Sequence, residues 1–364
     1  MKNIPVYEPM LGPAEKAYVK ECLDSNWISS RGRFIGQFEG MLRQVTGSVD
    51  SVAVCNGTVA LHLALLSLGI GPGDEVIVPT FTYIASVNAI AYVGATPVFV
   101  DSLADSWQID PIAVEFAITP RTRAIMAVHL YGQPADMHQL MAIAKRNNIF
   151  VVEDCAEAIG SKIGERSVGT FGHIGTLSFF GNKTITTGEG GALIGVHAEY
   201  LATARKLRGQ GLAGDREYWH DVVGYNYRMT NICAAIGVGQ LESFDFILRK
   251  KRRMAEQYKN QIDPKYAKLH WEIDGTTNSF WMCTISVNDG GSRDGLREFL
   301  KTRGIETRPG FYPAHMMPMY SKFSSGHYPV ACELSAKAVN LPSSPVLSEE
   351  DIAHVAGMVN KFFG

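Results

Sequence analysis

The sequence lacks any C-x-x-C pair; its six cysteines, Cys22, Cys55, Cys155, Cys233, Cys283 and Cys332, are scattered along 364 residues. That spacing argues against a disulfide frame or a zinc site and fits reduced thiols in a cytoplasmic protein. Long apolar runs are missing as well: Gly94 and Pro97 break the best candidate, residues 84–100, so no segment reads as a membrane span. Residues 1–9 lack the apolar core of a signal peptide. Nor is there an excess of charge of one sign. With 34 basic and 36 acidic residues the formal net charge is −2, which gives no electrostatic reason to expect nucleic acid. The one basic run, Arg249-Lys-Lys-Arg-Arg253, reads as the solvated face of a helix. Repeats and low-complexity tracts are absent too.

What is present is alternation. At 46% hydrophobic content the chain can bury a large core. Short β-rich runs fall at 51–55, 75–78, 97–100, 124–128, 149–152, 177–180 and 192–194, with helical periodicity between them at 58–68, 83–93 and 136–147. Continuous apolar strands separated by helices predict a mostly parallel sheet covered on both faces. After about residue 245 the texture changes: a charged stretch (249–262), a strand-like stretch (280–287) and an amphipathic helix (348–362). These predict a large α/β domain over 13–245 and a smaller α+β domain over 246–364, which residues 1–12 are expected to join.

In such sheets ligands collect beyond the carboxyl ends of the strands. Three ends stand out. In "VAVCNGTVALHLALLSLG" a strand runs through Asn56-Gly57 into a helix opened by Thr58, and a helix N-terminus is a ready anion site. An ordinary threonine cap explains that stretch equally well. In "IFVVEDCAEAIGS" Asp154 ends a buried strand, where a carboxylate needs a cation or a helix to cap. In "SFFGNKTITTGEGGALI" Lys183 follows a strand ending at Phe180, and desolvation there would make its amine nucleophilic. Together a nucleophilic lysine, a carboxylate for a pyridinium nitrogen and a phosphate site are the fixtures pyridoxal phosphate (PLP) needs. No Walker or G-x-G-x-x-G spacing supports ATP or NAD, and no metal site is expected.

The stretches "GDEVIVPTFTYIASVNAI", "EDCAEAIGSK", "SFFGNKTITTGEGGALI" and "GYNYRMTNICAAIGVGQLE" resemble the DegT/DnrJ/EryC1/StrS family of sugar aminotransferases over essentially the whole chain. The resemblance implies the fold-type I, aspartate-aminotransferase-like architecture and a PLP cofactor cycling through its pyridoxamine form. It puts the cofactor-linked lysine at Lys183, the pyridine-nitrogen carboxylate at Asp154, a residue facing the ring hydroxyl at Glu157 and a stacking aromatic at Tyr83. Gly57, Thr58 and Ser178 fall on the phosphate ligands. Asn226 falls on a residue that reaches the phosphate from a partner subunit, so a homodimer with shared sites, or a tetramer, is implied.

The stretches "LDSNWISSRG", "YWHD" and "TRPGFYPAHMMPMY" resemble members that move the amino group of L-glutamate to the C4 keto group of GDP-4-keto-6-deoxymannose. A UDP- or dTDP-linked 4-keto sugar is the alternative. Trp27, Ser29 and Arg31 are candidates to line the nucleotide-sugar cleft, Arg228 and Arg308 to hold the diphosphate, and Tyr312 and His315 to touch the sugar. Dehydratases of the family carry histidine in place of the lysine, so Lys183 argues against that chemistry. A PLP-binding regulator without turnover is a further alternative, opposed by the complete lysine–aspartate–phosphate set.

Overall fold

The computed structural model describes residues 3–324 and 326–364, so Met1 and Lys2 of the expected 1–12 segment lie outside the described residues. Seven strands form the main sheet: β1 (Asp50–Val54), β2 (Glu75–Pro79), β3 (Thr96–Val100), β4 (Thr122–Val128), β5 (Phe150–Asp154), β6 (Ile174–Ser178) and β7 (Gly191–Gly195). Their order is β1-β7-β6-β5-β4-β2-β3. Every pair from β6 to β3 is parallel, and β7 alone runs antiparallel to both of its neighbours.

Period-2 alternation explains how both faces are buried. Val52, Val54, Val76, Val78, Ala124 and Met126 belong to one apolar cluster, which includes much of α3 (Gly57–Ser67) and α4 (Ile84–Tyr92). Their neighbours Ala53, Ile77, Ile125 and Ala127 face the other way. Ala53 packs with residues of α2 (Arg33–Thr46) and α8 (Asn231–Glu242), and the other three pack with α6 (Met137–Asn147). The N-terminal helix α1 (Pro13–Asp24), α5 (Pro111–Ala117) and α7 (Ala198–Arg208) complete this part.

Helix α9 (Phe244–Gln261) leads to a four-stranded antiparallel sheet of β8 (Ala267–Leu269), β9 (Thr284–Val287), β10 (Arg308–Pro309) and β11 (Ala338–Asn340), ordered β8-β9-β11-β10. With α10 (Arg293–Lys301) and α12 (Glu349–Phe363) it encloses a separate core, which Ile4 enters from the N-terminal segment, whereas Ala331 and Leu334 of α11 (Pro329–Lys337) pack into the cluster shared with α3 and α4.

Two expectations need correction. The strand before Lys183 ends at Ser178: Phe180 keeps only an isolated bridge to Gly188 and is half exposed. The basic run 249–253 is not wholly solvated. Lys251 is fully buried, and its Nζ donates to the carbonyls of Trp281, at 2.8 Å, and Ser343.

Candidate active site

The carboxyl ends of β1, β2, β4, β5 and β6 open into a cavity of about 760 Å³. At one end the chain leaves β1 through Cys55 and enters α3. The cap is Asn56, whose Oδ1 accepts Val59 N–H at 3.0 Å, so the threonine-cap reading of Thr58 gives way to an asparagine cap. Gly57 and Thr58, the first two residues of α3, line the cavity and bring the positive end of the helix to it. Ser178, at the end of β6, closes this corner. A Cβ on Gly57 would stand 2.7 Å from Ser178 Cβ, and one on Gly191 would stand 2.5 Å from Asn56 C. Glycine is required at both positions for this close approach.

The middle of the cavity is held by Asp154. It is the last residue of β5 and is buried; Ser86 Oγ donates to its Oδ2 at 2.6 Å and Ala156 N–H to its Oδ1 at 3.0 Å. Its neighbour Glu153 points to the opposite face of the sheet. There it accepts Gly172 N–H at 2.6 Å, Gly169 N–H at 2.7 Å and His129 Nε2 at 3.0 Å. His129 Nδ1 accepts Ala135 N–H at 3.0 Å, so the buried His129–Glu153 pair is hydrogen-bonded within the protein.

Lys183 enters from the third side. Its amide donates to Phe180 O at 2.9 Å, closing a turn that points the side chain inward. The ammonium lies 3.9 Å from Glu157 Oε1 and 4.1 Å from the centre of the Trp281 ring, and the side chain is 12% exposed. Burial pulls the Lys183 ammonium below its ordinary value, while the Glu157 and Asp154 carboxylates work against that. Burial also lifts Glu157 out of the usual carboxylate range to about 7, with Lys183 opposing. Both shifts move these neighbouring groups towards their neutral forms. Glu157 Oε2 is fixed by Tyr131 N–H at 2.8 Å.

Tyr83 precedes α4 on the cavity wall, half exposed, its ring 5.5 Å from that of Phe311. Arg308 and Tyr312 line the mouth. The other candidates do not line this chain's cavity. Trp27, Ser29 and Arg31 are exposed on the connection between α1 and α2, where Trp27 O and Ser29 O accept bonds from Asn231 at 2.7 and 2.6 Å. Arg228 bridges to Val54 at the edge of β1, and its Nη2 donates to Asn226 Oδ1 at 3.2 Å. Asn226 itself is exposed. His315 is held by Thr80 Oγ1 at 2.7 Å and packs on the ring of Tyr328.

Four neighbours of the site escaped the sequence reading. Ser86 lies one helical turn beyond Tyr83 and is the one that i, i+3 spacing on α4 exposes as a partner for the cavity. Tyr7, Trp281 and Tyr131 carry no local signal. Tyr7 Oη donates to Lys183 O at 2.6 Å, and Trp281 Nε1 donates to Asn182 O at 2.7 Å. The rings of Tyr131, Trp281 and Phe311 lie nearly parallel in one cluster, Tyr131 at 6.1 Å from Trp281 and 5.3 Å from Phe311, with Trp281 and Phe311 6.5 Å apart.

The donor set fits PLP: a helix N-terminus cut back to glycine for a phosphate, a buried carboxylate for a cationic ring nitrogen, and an amine for a carbonyl carbon. Gly57, Thr58 and Ser178 would hold the phosphate, Asp154 the ring nitrogen and Lys183 the carbonyl carbon.

Comparison with known proteins agrees. The chain is 53% identical over 363 residues to GDP-perosamine synthase from Escherichia coli O157:H7, covering 100% of this chain and 99% of that protein. It is 44% identical over 363 residues to GDP-perosamine synthase from Vibrio cholerae, covering 99% of each. The crystal structure of S. venezuelae DesV in complex with a ketimine intermediate superposes with a TM-score of 0.90 at 34% identity, over 96% of this chain and 94% of that one. Residues 9–360 match the profile of the DegT/DnrJ/EryC1/StrS aminotransferase family; the chain belongs to that family, with its fold-type I architecture and its PLP cofactor.

Proposed function

We propose that this aminotransferase moves the amino group of L-glutamate to C4 of GDP-4-keto-6-deoxy-D-mannose, yielding GDP-perosamine and 2-oxoglutarate for polysaccharide (O-antigen) synthesis. The convergence of Lys183, Asp154 and the N-terminus of α3 in one cavity carries the amino transfer. The 53% end-to-end identity with the E. coli enzyme supports the sugar nucleotide.

When bound, PLP supplies a carbonyl carbon for the amino group and a ring that takes up the electron pair left when the donor's α-C–H bond breaks. The protein does the rest. Lys183 Nζ, neutral more readily because it is buried, takes the α-proton of glutamate and later returns a proton in the amination of the sugar. Asp154, oriented by Ser86 and Ala156 N–H, keeps the ring nitrogen protonated. Gly57, Thr58 and Ser178 bind the phosphate, and Tyr83 and Trp281 exclude water from the reacting face. Glu157 shares protons with Lys183, and Arg308 and Tyr312 at the mouth meet the diphosphate and sugar.

The enzyme acts as a homodimer in the cytoplasm, with Asn226 completing the partner's phosphate site. In support, Asn226 is exposed and outside the lining of its own cavity, and no helix among the described residues is long and apolar enough to cross a membrane. Residues 13–245 form the cofactor domain and 246–364 the smaller one. Trp27, Ser29, Arg31, Arg228 and His315 contact substrate only in the assembled enzyme.

A panel of GDP-, UDP- and dTDP-linked 4-keto-6-deoxy sugars with glutamate tests the substrate. The GDP-mannose derivative is expected to have the highest kcat/KM, and preference for a UDP or dTDP sugar would refute that part. Subunit mixing tests the sharing: Asn226→Asp mixed with Lys183→Ala is expected to regain activity in heterodimers. Proven heterodimers without activity would place Asn226 in its own chain's site.

A further inference from the structure

Lys251, in the second turn of α9, is 0% exposed, and its described partners are carbonyls and a ring, not a carboxylate. Burying an ammonium without an anion is costly, and burial lowers this one to about 8. A leucine or methionine would fill the same space without that penalty, so what the ammonium holds is informative.

It holds the two segments that hold Lys183. Its first bond fixes the carbonyl of Trp281 at 2.8 Å. The Trp281 ring lies 4.1 Å from Lys183 Nζ, and the indole N–H donates to Asn182 O at 2.7 Å. Its second bond fixes Ser343, whose N–H donates to Val6 O at 2.8 Å and whose Oγ accepts Cys283 N–H at 2.8 Å. Next to Val6 stands Tyr7, its ring centre 5.0 Å from Lys251 Nζ and its hydroxyl donating to Lys183 O at 2.6 Å. The amine and the carbonyl of Lys183 are therefore both restrained by residues that Lys251 clamps, although Lys251 does not reach the cavity.

We infer that Lys251 is a positioning residue for Lys183, acting through Trp281 and Tyr7; the inference rests on the proton-transfer role proposed for Lys183. An amine displaced by about 1 Å from its proton's path costs about 10²-fold in rate, so the clamp is worth its desolvation.

The test is Lys251→Met in the full-length dimer. With far-UV circular dichroism unchanged, amide hydrogen exchange of the apo-protein at 181–187 is expected to accelerate about tenfold while 150–154 stays unchanged. In the loaded enzyme kcat is expected to fall about 10- to 100-fold, with KM for the sugar nucleotide within about twofold. Trp281→Leu is expected to show the same exchange pattern, and the double variant to lose less than the product of the two single effects. Should Lys251→Met fail to fold, Lys251→Gln, which keeps an N–H for one of the two carbonyls, carries the same comparison. A folded Lys251 variant with exchange and kcat within about twofold of wild type overturns the inference, and so does full additivity with Trp281→Leu. Full activity in Lys183→Ala would overturn the role on which it rests, whereas a normal Lys251 variant beside an inactive Lys183→Ala overturns the clamp alone.

Discussion

The floor of the cavity and the wall around Lys183 are built in opposite ways. The floor, Asn56 to Thr58, Asp154 and Ser178, consists of strand ends and the turns that follow them, so each group is placed by the strand that carries it. The wall is recruited from far away: Tyr7 reaches Lys183 across 176 residues of sequence and Trp281 reaches Asn182 across 99. Local geometry is enough to cradle an anion and a ring cation. Holding a flexible lysine at one point takes packing from the rest of the molecule.

Where floor and wall meet, the largest effect is expected. Lys183→Ala removes the proposed cofactor link and proton carrier, so turnover should fall about 10³- to 10⁴-fold or more and the visible absorption of the lysine–cofactor bond should vanish. Cofactor should still bind through the floor, as equilibrium dialysis would show. Near-normal steady-state turnover would break the assignment.

On the floor alone, Asp154→Asn is expected to cost about 10²-fold in kcat, because the ring nitrogen would lose the carboxylate proposed to keep it charged. If Asp154 were merely a cap, the variant would lose about 1 kcal/mol of stability and keep its turnover.

Gly57→Ala sharpens the floor further. The new methyl would lie 2.7 Å from Ser178 Cβ. Overpacking of that kind costs about 1–3 kcal/mol, and if that cost falls on the bound state it should weaken cofactor affinity about 5- to 160-fold in a fluorescence titration. Unchanged affinity would mean that the phosphate binds elsewhere.

The smallest effect concerns Glu157 and is a dependence on pH. Its folded value of about 7 lies above the ordinary 4.5, so the folded protein holds this proton more tightly than the unfolded chain. Its contribution to stability is therefore fully present below about pH 4.5 and lost as pH rises towards and through about 7. Glu157→Gln keeps an acceptor for Tyr131 N–H and removes the titration. The melting temperature of the apo-variant relative to wild type should rise between pH 5 and pH 8, and a constant difference would show that Glu157 does not titrate in that range.

The same contrast governs what was legible in the sequence. Strand ends in a parallel sheet are announced by apolar runs and turn residues, so Asp154 and the Asn56-Gly57-Thr58 junction stood out, and the strands were placed to within a few residues. The stretch 280–287 misled because its first residues are not strand. Phe280 has φ +50, the Trp281 carbonyl turns to Lys251, and β9 begins at Thr284. Lys251 sat unnoticed in a basic run, since nothing in Arg249-Lys-Lys-Arg-Arg253 tells which cation faces inward. Tyr7 and Trp281 belong to segments whose approach to Lys183 is a tertiary fact without local periodicity.

Two buried lysines with lowered ammonium values flank Trp281: Lys183 under its ring and Lys251 on its carbonyl, the latter brought to about 8. Borohydride reduction of the PLP-loaded protein, followed by digestion and mass spectrometry, decides between them. The structure predicts the pyridoxyl mass on Lys183 alone, and none anywhere in Lys183→Ala. A pyridoxyl group on Lys251, or on no lysine of a fully active enzyme, would contradict the account.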